Sequence, residues 1–314
     1  MKKGTALYGA VSVVLLLSIL SLWKPCSHQE TQFFLHRALA IRTLPDPAQG
    51  ILTTYPPLPV LFALLFREYF PLVTGWFTAS ILLFLGERRG NVPATFLTLF
   101  SPLFLFGVFM RPALILLFLC AALGFTTLFE NAKRGSPEGL LTGNLAFGLG
   151  ACCHPLGAWL LPLFALCEAF SFRTPLLRRI MLVALALLPF LILKSMVLFF
   201  GWVYEGYALS PFRNPELSLA VFLKIGGYAP QVADTLLALP FLFTVPFSGL
   251  HRTGVFWGIF LLSLSIPYLM TPCTSLLLAL LFALDAEPGK TALLGVLLWN
   301  VLGWVLVLCG FFPC

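Results

Sequence analysis

Apolar runs long enough to cross a bilayer follow one another along almost the whole chain, each closed by charged residues, a proline or a glycine. A helix needs about 20 apolar residues to traverse some 30 Å of hydrocarbon. On that measure we expect spans near 5–23, 70–86, 92–109, 112–130, 140–153, 155–170, 180–199, 235–250, 254–270, 272–285 and 291–310. The pair 140–153 and 155–170 is short and turns at His154-Pro155. The run 57–69 is apolar but too short to cross, and it carries Arg67 and Glu68, which predicts a helix lying along the membrane surface. The pattern therefore reads as an all-α polytopic membrane protein with about 11 transmembrane helices, residues 1–314 forming a single transmembrane domain.

Composition closes off the other classes. Of 314 residues, 60% are hydrophobic and 10% charged, far from the soluble average of about 25% charged. A water-soluble globule or a disordered chain cannot be built from this. The 19 Lys and Arg are scattered, so nucleic acid is not an expected partner. Met1-Lys2-Lys3 ahead of the first run has the look of a secretory leader. No small-residue cleavage site follows at Trp23-Lys24-Pro25-Cys26, so the first span is expected to stay.

Charge sets the orientation. With the N-terminus inside, Arg88, Arg89, Lys133, Arg134, Arg173, Arg178, Arg179, Arg252 and Lys290 fall on the cytoplasmic side with Lys2 and Lys3. The outer side then holds fewer, most of them in long loops where the positive-inside rule is weak. Two segments are long enough to build something outside: 24–69, containing the surface helix 57–69, and 200–234. Any activity is expected to face outward or sit in the membrane. The implied location is integral, multi-pass, in a bacterial inner (plasma) membrane.

The eight cysteines form no CxxC pair. Cys120, Cys152, Cys153, Cys167 and Cys309 lie in apolar runs and read as small hydrophobes. No metal-ligand spacing is present, and Cys152, Cys153 and His154 are adjacent in a way that poorly suits one ion.

The first outer segment reads Gln29-Glu30-Thr31-Gln32-Phe33-Phe34-Leu35-His36-Arg37-Ala38 and later Tyr55-Pro56-Pro57-Leu58. This resembles the GT-C superfamily of membrane glycosyltransferases, in particular the polyprenyl-phosphate-sugar-dependent branch related to protein O-mannosyltransferases. There an acidic pair after the first span is followed by an aromatic and an alanine, then by a Tyr/His-Pro-Pro-Leu segment opening a surface helix. Ser101-Pro102, Met110-Arg111-Pro112-Ala113, Gly148-Leu149-Gly150-Ala151, His154-Pro155-Leu156-Gly157, Leu187-Leu188-Pro189-Phe190 and Tyr268-Leu269-Met270-Thr271-Pro272 are similar to later family features in order and spacing.

The resemblance implies a GT-C-like arrangement and transfer of a sugar from a polyprenyl-phosphate donor to a glycan, protein or lipid acceptor at the outer face. It makes Glu30 the catalytic base, with Gln29, Tyr55, Arg111, His154 and Tyr268 binding substrate. A helix over 29–40 would add His36 to these, since it would share one face with Gln29, Gln32 and Phe33. Arg111 and His154 would hold the leaving phosphate. A divalent cation is compatible with the family, and no other cofactor is implied. Two features depart from it. Gln29 replaces one acid of the pair, and an amide cannot take a proton. Ile266-Pro267 stand where a basic residue usually precedes the late tyrosine.

Those departures keep a second class open, a non-catalytic GT-C-like scaffold or lipid-binding subunit of a membrane assembly. A lipid or small-molecule transporter is the third, without the internal repeat expected of one. Simpler readings of single residues stand beside the functional ones. Glu30 suits a solvated loop carboxylate, Arg111 an interfacial anchor, Lys194 a snorkelling side chain, and Asp46 a turn between two prolines.

Overall fold

The computed structural model describes residues 9, 11–12, 29–52, 56–134, 138–154, 175–206, 283 and 289–309. Among these there is no strand, and the architecture is helical. The expected first span lies outside the described residues apart from Gly9, Val11 and Ser12. So do the spans expected at 155–170, 235–250, 254–270 and 272–285, except Ala283, and the outer segment 200–234 beyond Gly206.

The first outer segment is built of helices. We number them α1 (Gln29–Arg42), α2 (Pro47–Leu52) and α3 (Pro57–Phe66). Asp46 is the turn residue its prolines suggest: Oδ1 accepts from Ala48 N–H at 3.0 Å, starting α2. Helix α3 begins at the Pro56-Pro57 pair, where a missing N–H costs nothing. A short 3₁₀ turn, Arg67–Tyr69, separates it from α4 (Phe70–Arg89), which stops at Gly90 in a left-handed conformation, φ 77°.

Four elements follow the expected spans closely: α5 (Val92–Leu99) with α6 (Pro102–Met110), then α7 (Pro112–Arg134), α8 (Glu138–Ala151) and α10 (Lys290–Leu308). Helix α9 (Leu176–Glu205) overruns its expected span at both ends. Among the described residues three helical stretches are long and apolar enough to cross a membrane: Pro57–Arg89, Leu176–Glu205 and Lys290–Val307. The bent pair α5–α6 makes a fourth if counted as one span.

The core is centred on α7. From Ala113 to Leu119 every side chain is buried, so this stretch of the helix is apolar and enclosed on all faces. Helix α8 packs closely along it. At Gly124 the two backbones approach so tightly that a Cβ would sit 2.4 Å from the Phe147 ring and 3.0 Å from Gly143 O. Helix α9 lies against α8, and it leaves Leu188, Leu191, Ile192, Met196 and Phe199 exposed. Such a face suits hydrocarbon rather than water.

The bend of 51° between α5 and α6 has a definite cause and a definite remedy. Pro102 cannot continue the ladder. Ser101 N–H turns back to Thr98 O at 3.2 Å, and Ser101 Oγ takes Phe104 N–H at 3.2 Å. Those two diversions free the carbonyls of Leu97 and Phe100. Helix α10 supplies both missing donors, one turn apart: Asn300 Nδ2 reaches Leu97 O at 2.8 Å and Trp304 Nε1 reaches Phe100 O at 2.9 Å. A carbonyl has no water to turn to in hydrocarbon, so α10 is keyed to the break. Asn300→Leu and Trp304→Phe should each lower stability by about 1–2 kcal/mol. Thermal unfolding in detergent measures this, and unchanged melting in both variants would remove the key.

These contacts also fix direction. Helix α10 runs parallel to α5–α6, because later residues of one meet later residues of the other. Gln49 Nε2 on α2 donates to Tyr204 O near the end of α9 at 3.4 Å. Thr31 Oγ1 on α1 donates to Phe109 O near the end of α6 at 2.8 Å. One end of the bundle therefore collects α1, the α6–α7 turn and the end of α9. The starts of α9 and α10, with Arg178, Arg179 and Lys290, and the end of α4, with Arg88 and Arg89, lie at the other.

Candidate functional site

The α6–α7 turn creates the site's first requirement. Arg111 is both the last cap of α6 and the first of α7: its N–H donates to Gly107 O at 2.8 Å, and its carbonyl accepts from Leu114 at 3.0 Å. A helix start needs acceptors for its first amides. Arginine has none to offer, and Pro112 brings no N–H. The first orphan donor is thus Ala113 N–H, and it donates to Glu30 Oε1 at 3.2 Å.

Glu30 sits in the first turn of α1 and is buried, 7% exposed. The simple reading of a solvated loop carboxylate does not hold. Burial pushes its carboxyl up to about 7 from an ordinary 4.5, against the opposing pull of the Arg111 guanidinium and the Ala113 N–H. Thr31, beside it, pins α1 to Phe109 O and so fixes the carboxylate against α7.

His154 closes the group. It lies in the turn after α8, 4% exposed. Burial, with Arg111 adding to it, drives the imidazole down to about 3 from 6.5. His154 is therefore neutral at working pH, and Arg111 is the cation of the trio. The same turn meets α3, since Leu58 N–H donates to Cys152 O at 3.3 Å. Arg111, half-buried, acts electrostatically on both Glu30 and His154.

The structure thus brings together Glu30, Arg111 and His154 from three separate parts of the chain. It does not bring His36 to them. The buried stripe of α1 is Glu30, Phe34, Ala38 and Ile41, at helical spacing, and His36 is exposed on another face. Gln29 opens the same helix. Tyr55 and Tyr268 lie outside the described residues. Lys194 is exposed on α9 and acts electrostatically on Cys152, near the His154 turn.

No family model matches this sequence, and no curated protein or solved structure matches it significantly.

The chemistry must therefore be argued from the side chains themselves. Glu30 offers a carboxylate able to exchange a proton near neutral pH. Arg111 and the start of α7 offer fixed positive potential, and His154 offers one donor and one acceptor. Among the described residues of the site, a single carboxylate beside a permanent guanidinium makes a poor donor set for a divalent cation. Among the described residues no three His, Cys, Asp or Glu side chains are placed to hold a metal ion.

Sequence reading missed two members of this arrangement, Thr31 and the Ala113 amide. For Ala113 a signal was present. Arg-Pro at a helix start announces a first turn without its own acceptor, which some other element has to provide. Thr31 carries no comparable mark.

Proposed function

We propose that this chain is a multi-pass membrane glycosyltransferase of the GT-C type, transferring a sugar from a polyprenyl-phosphate donor at the outer face of a bacterial inner membrane. One observation carries the reading: Glu30, Arg111 and His154, far apart in sequence, converge at the end of the bundle opposite Arg88, Arg89, Arg178, Arg179 and Lys290. Those cations flank long apolar helices, where the positive-inside rule applies, whereas Arg37, Arg42 and Arg67 at the trio's end belong to the long first outer segment, where it is weak; this turns the trio outward.

The remaining features fit a chain of about 11 spans with its N-terminus inside. The helical stretch Pro57–Arg89 has 33 residues, about 50 Å at 1.5 Å per residue, well beyond the hydrocarbon thickness. Helix α4, with 20 residues, is about 30 Å long and matches that thickness alone. The surplus is α3, cut off at Arg67, where φ is 54°. It packs on α1, starts beside the His154 turn and runs on into α4 as one apolar stretch.

The reaction is an inverting displacement. Glu30 takes the proton of an acceptor hydroxyl, whose oxygen attacks the anomeric carbon of the sugar. The bond from that carbon to the phosphate oxygen breaks, and the charge left on phosphate is met by the Arg111 guanidinium. His154, neutral, donates a hydrogen bond rather than a charge.

The test uses purified protein in liposomes with a polyprenyl-phosphate sugar. Arg111→Ala should reduce transfer by about 10²–10³-fold, the cost of one transition-state charge contact, and Arg111→Lys should recover part of it. Equal transfer by wild type and Arg111→Ala would exclude phosphate stabilisation by this residue.

A second reading has its own observation. The Glu30 carboxylate is already bonded to Ala113 N–H, tying α1 to α7 as a purely structural clasp would. A scaffold or lipid-binding subunit would keep that bond and show no transfer in the wild type.

A further inference from the structure

At the junction of α7 with the His154 turn, two cysteines face one another. Cys120 Sγ lies 3.9 Å from Cys153 Sγ, and both are free thiols. They come from different elements, 33 residues apart. Cys153 is almost wholly buried and also donates to Leu149 O at 3.3 Å, whereas Cys120 is half-buried. Bonded sulfurs stand about 2.0 Å apart, so the pair needs to close by only about 2 Å. Cys152, though adjacent in sequence, has its carbonyl held by Leu58 N–H.

We propose that Cys120 and Cys153 form a reversible dithiol/disulfide site whose oxidation ties the His154 turn to α7. The oxidant is a small disulfide acting by exchange. Cys120, the more accessible, loses its proton and attacks one sulfur of the oxidant, expelling the first thiol. Cys153 then attacks the Cys120 sulfur of the mixed disulfide and expels the second. The protein gives up two electrons and two protons, and the oxidant leaves as two thiols. The new bond closes a loop running through the last turns of α7, all of α8 and the turn beyond it. That loop carries the residue immediately before His154, so the redox state governs how firmly the turn is held. The site stands independently of sugar transfer, since neither sulfur belongs to the Glu30 trio.

The experiment treats the purified full chain with dithiodipyridine, a lipophilic aromatic disulfide, then alkylates remaining thiols after denaturation. Mass spectrometry of the digest should show a Cys120–Cys153 linked peptide and loss of alkylation at those two positions, reversed by dithiothreitol. Cys152→Ser should retain the link; Cys120→Ser should abolish it and leave Cys153 as a free or mixed-disulfide thiol. Full alkylation of Cys120 and Cys153 after oxidant treatment, or a Cys152–Cys153 bond in their place, would overturn the proposal. Because wild-type protein gives the primary result, poor folding of a variant does not obscure it.

Discussion

Replacing Glu30 by Gln is expected to slow the proposed sugar transfer by roughly 10²–10⁴-fold, the usual contribution of a general base, while making the protein more stable in alkaline buffer. The amide still accepts the Ala113 N–H, so the clasp between α1 and α7 survives. Only proton acceptance and charge are lost. The stability effect follows from the sign of the shift. Glu30 is raised from 4.5 to about 7 in the folded protein, so the folded state holds a proton that the unfolded state releases between those values. Stability from this group is complete below about pH 4.5 and is lost as pH rises to about 7. At pH 8 the wild type bears the burial of an ionised carboxylate, worth about 3 kcal/mol at about 1.4 kcal/mol per pH unit.

The glutamine variant never bears that cost. Its melting temperature should exceed wild type at pH 8 and approach it near pH 5. His154 has the opposite dependence, held down to about 3 from 6.5, so the two largely cancel in the wild-type profile between about pH 4.5 and 6.5. Comparing variant with wild type isolates Glu30. Transfer by wild type should rise with pH through about 7 as the base becomes free. Full transfer by Glu30→Gln would remove its catalytic role, and identical pH dependence of melting would show the carboxylate is not desolvated as described.

Gly124→Leu is expected to be the most damaging single change to stability. Its Cβ would meet the Phe147 ring at 2.4 Å and the Gly143 carbonyl at 3.0 Å. Phe147 cannot swing aside, because it is fully buried and packed edge-on against Phe125 with centroids 5.0 Å apart. Helices α7 and α8 must then move apart, at a cost of about 3 kcal/mol, the upper part of the range for an overfilled core. Since His154 follows α8 and Ala113 starts α7, the trio should be disturbed with it. Detergent-solubilised yield and thermal unfolding measure the effect, and a wild-type melting temperature would show that the interface has slack.

Among the described residues, where the helices begin and end was legible because it depends on local composition. Charges and prolines at Arg88-Arg89, Arg111-Pro112 and His154 punctuate apolar runs, and the helices α4 to α8 begin or end there. Arg111 and His154 were also readable as site residues, being polar turns at span ends. The burial of Glu30 was not. Its neighbours Gln29, Thr31 and Gln32 give it a solvated local setting. What buries it is a helix start 83 residues later. The spacing of His36 to Gln29, Gln32 and Phe33 is helical, as expected, but the stripe turned inward is the one through Phe34, Ala38 and Ile41. Which stripe faces in depends on tertiary partners rather than on α1. The length of α9 was underestimated for a similar reason: its last turn is secured by Gln49, on a helix near the other end of the sequence.

The two donors that α10 lends to the α5–α6 break lie 203 and 204 residues further along the chain. At synthesis rates of about 5–20 residues per second, the ribosome needs roughly 10–40 s to reach Asn300 and Trp304 after making the carbonyls they satisfy. Throughout that interval the two acceptors lack these partners, so the α5–α6 break is completed only once the late helix is in place.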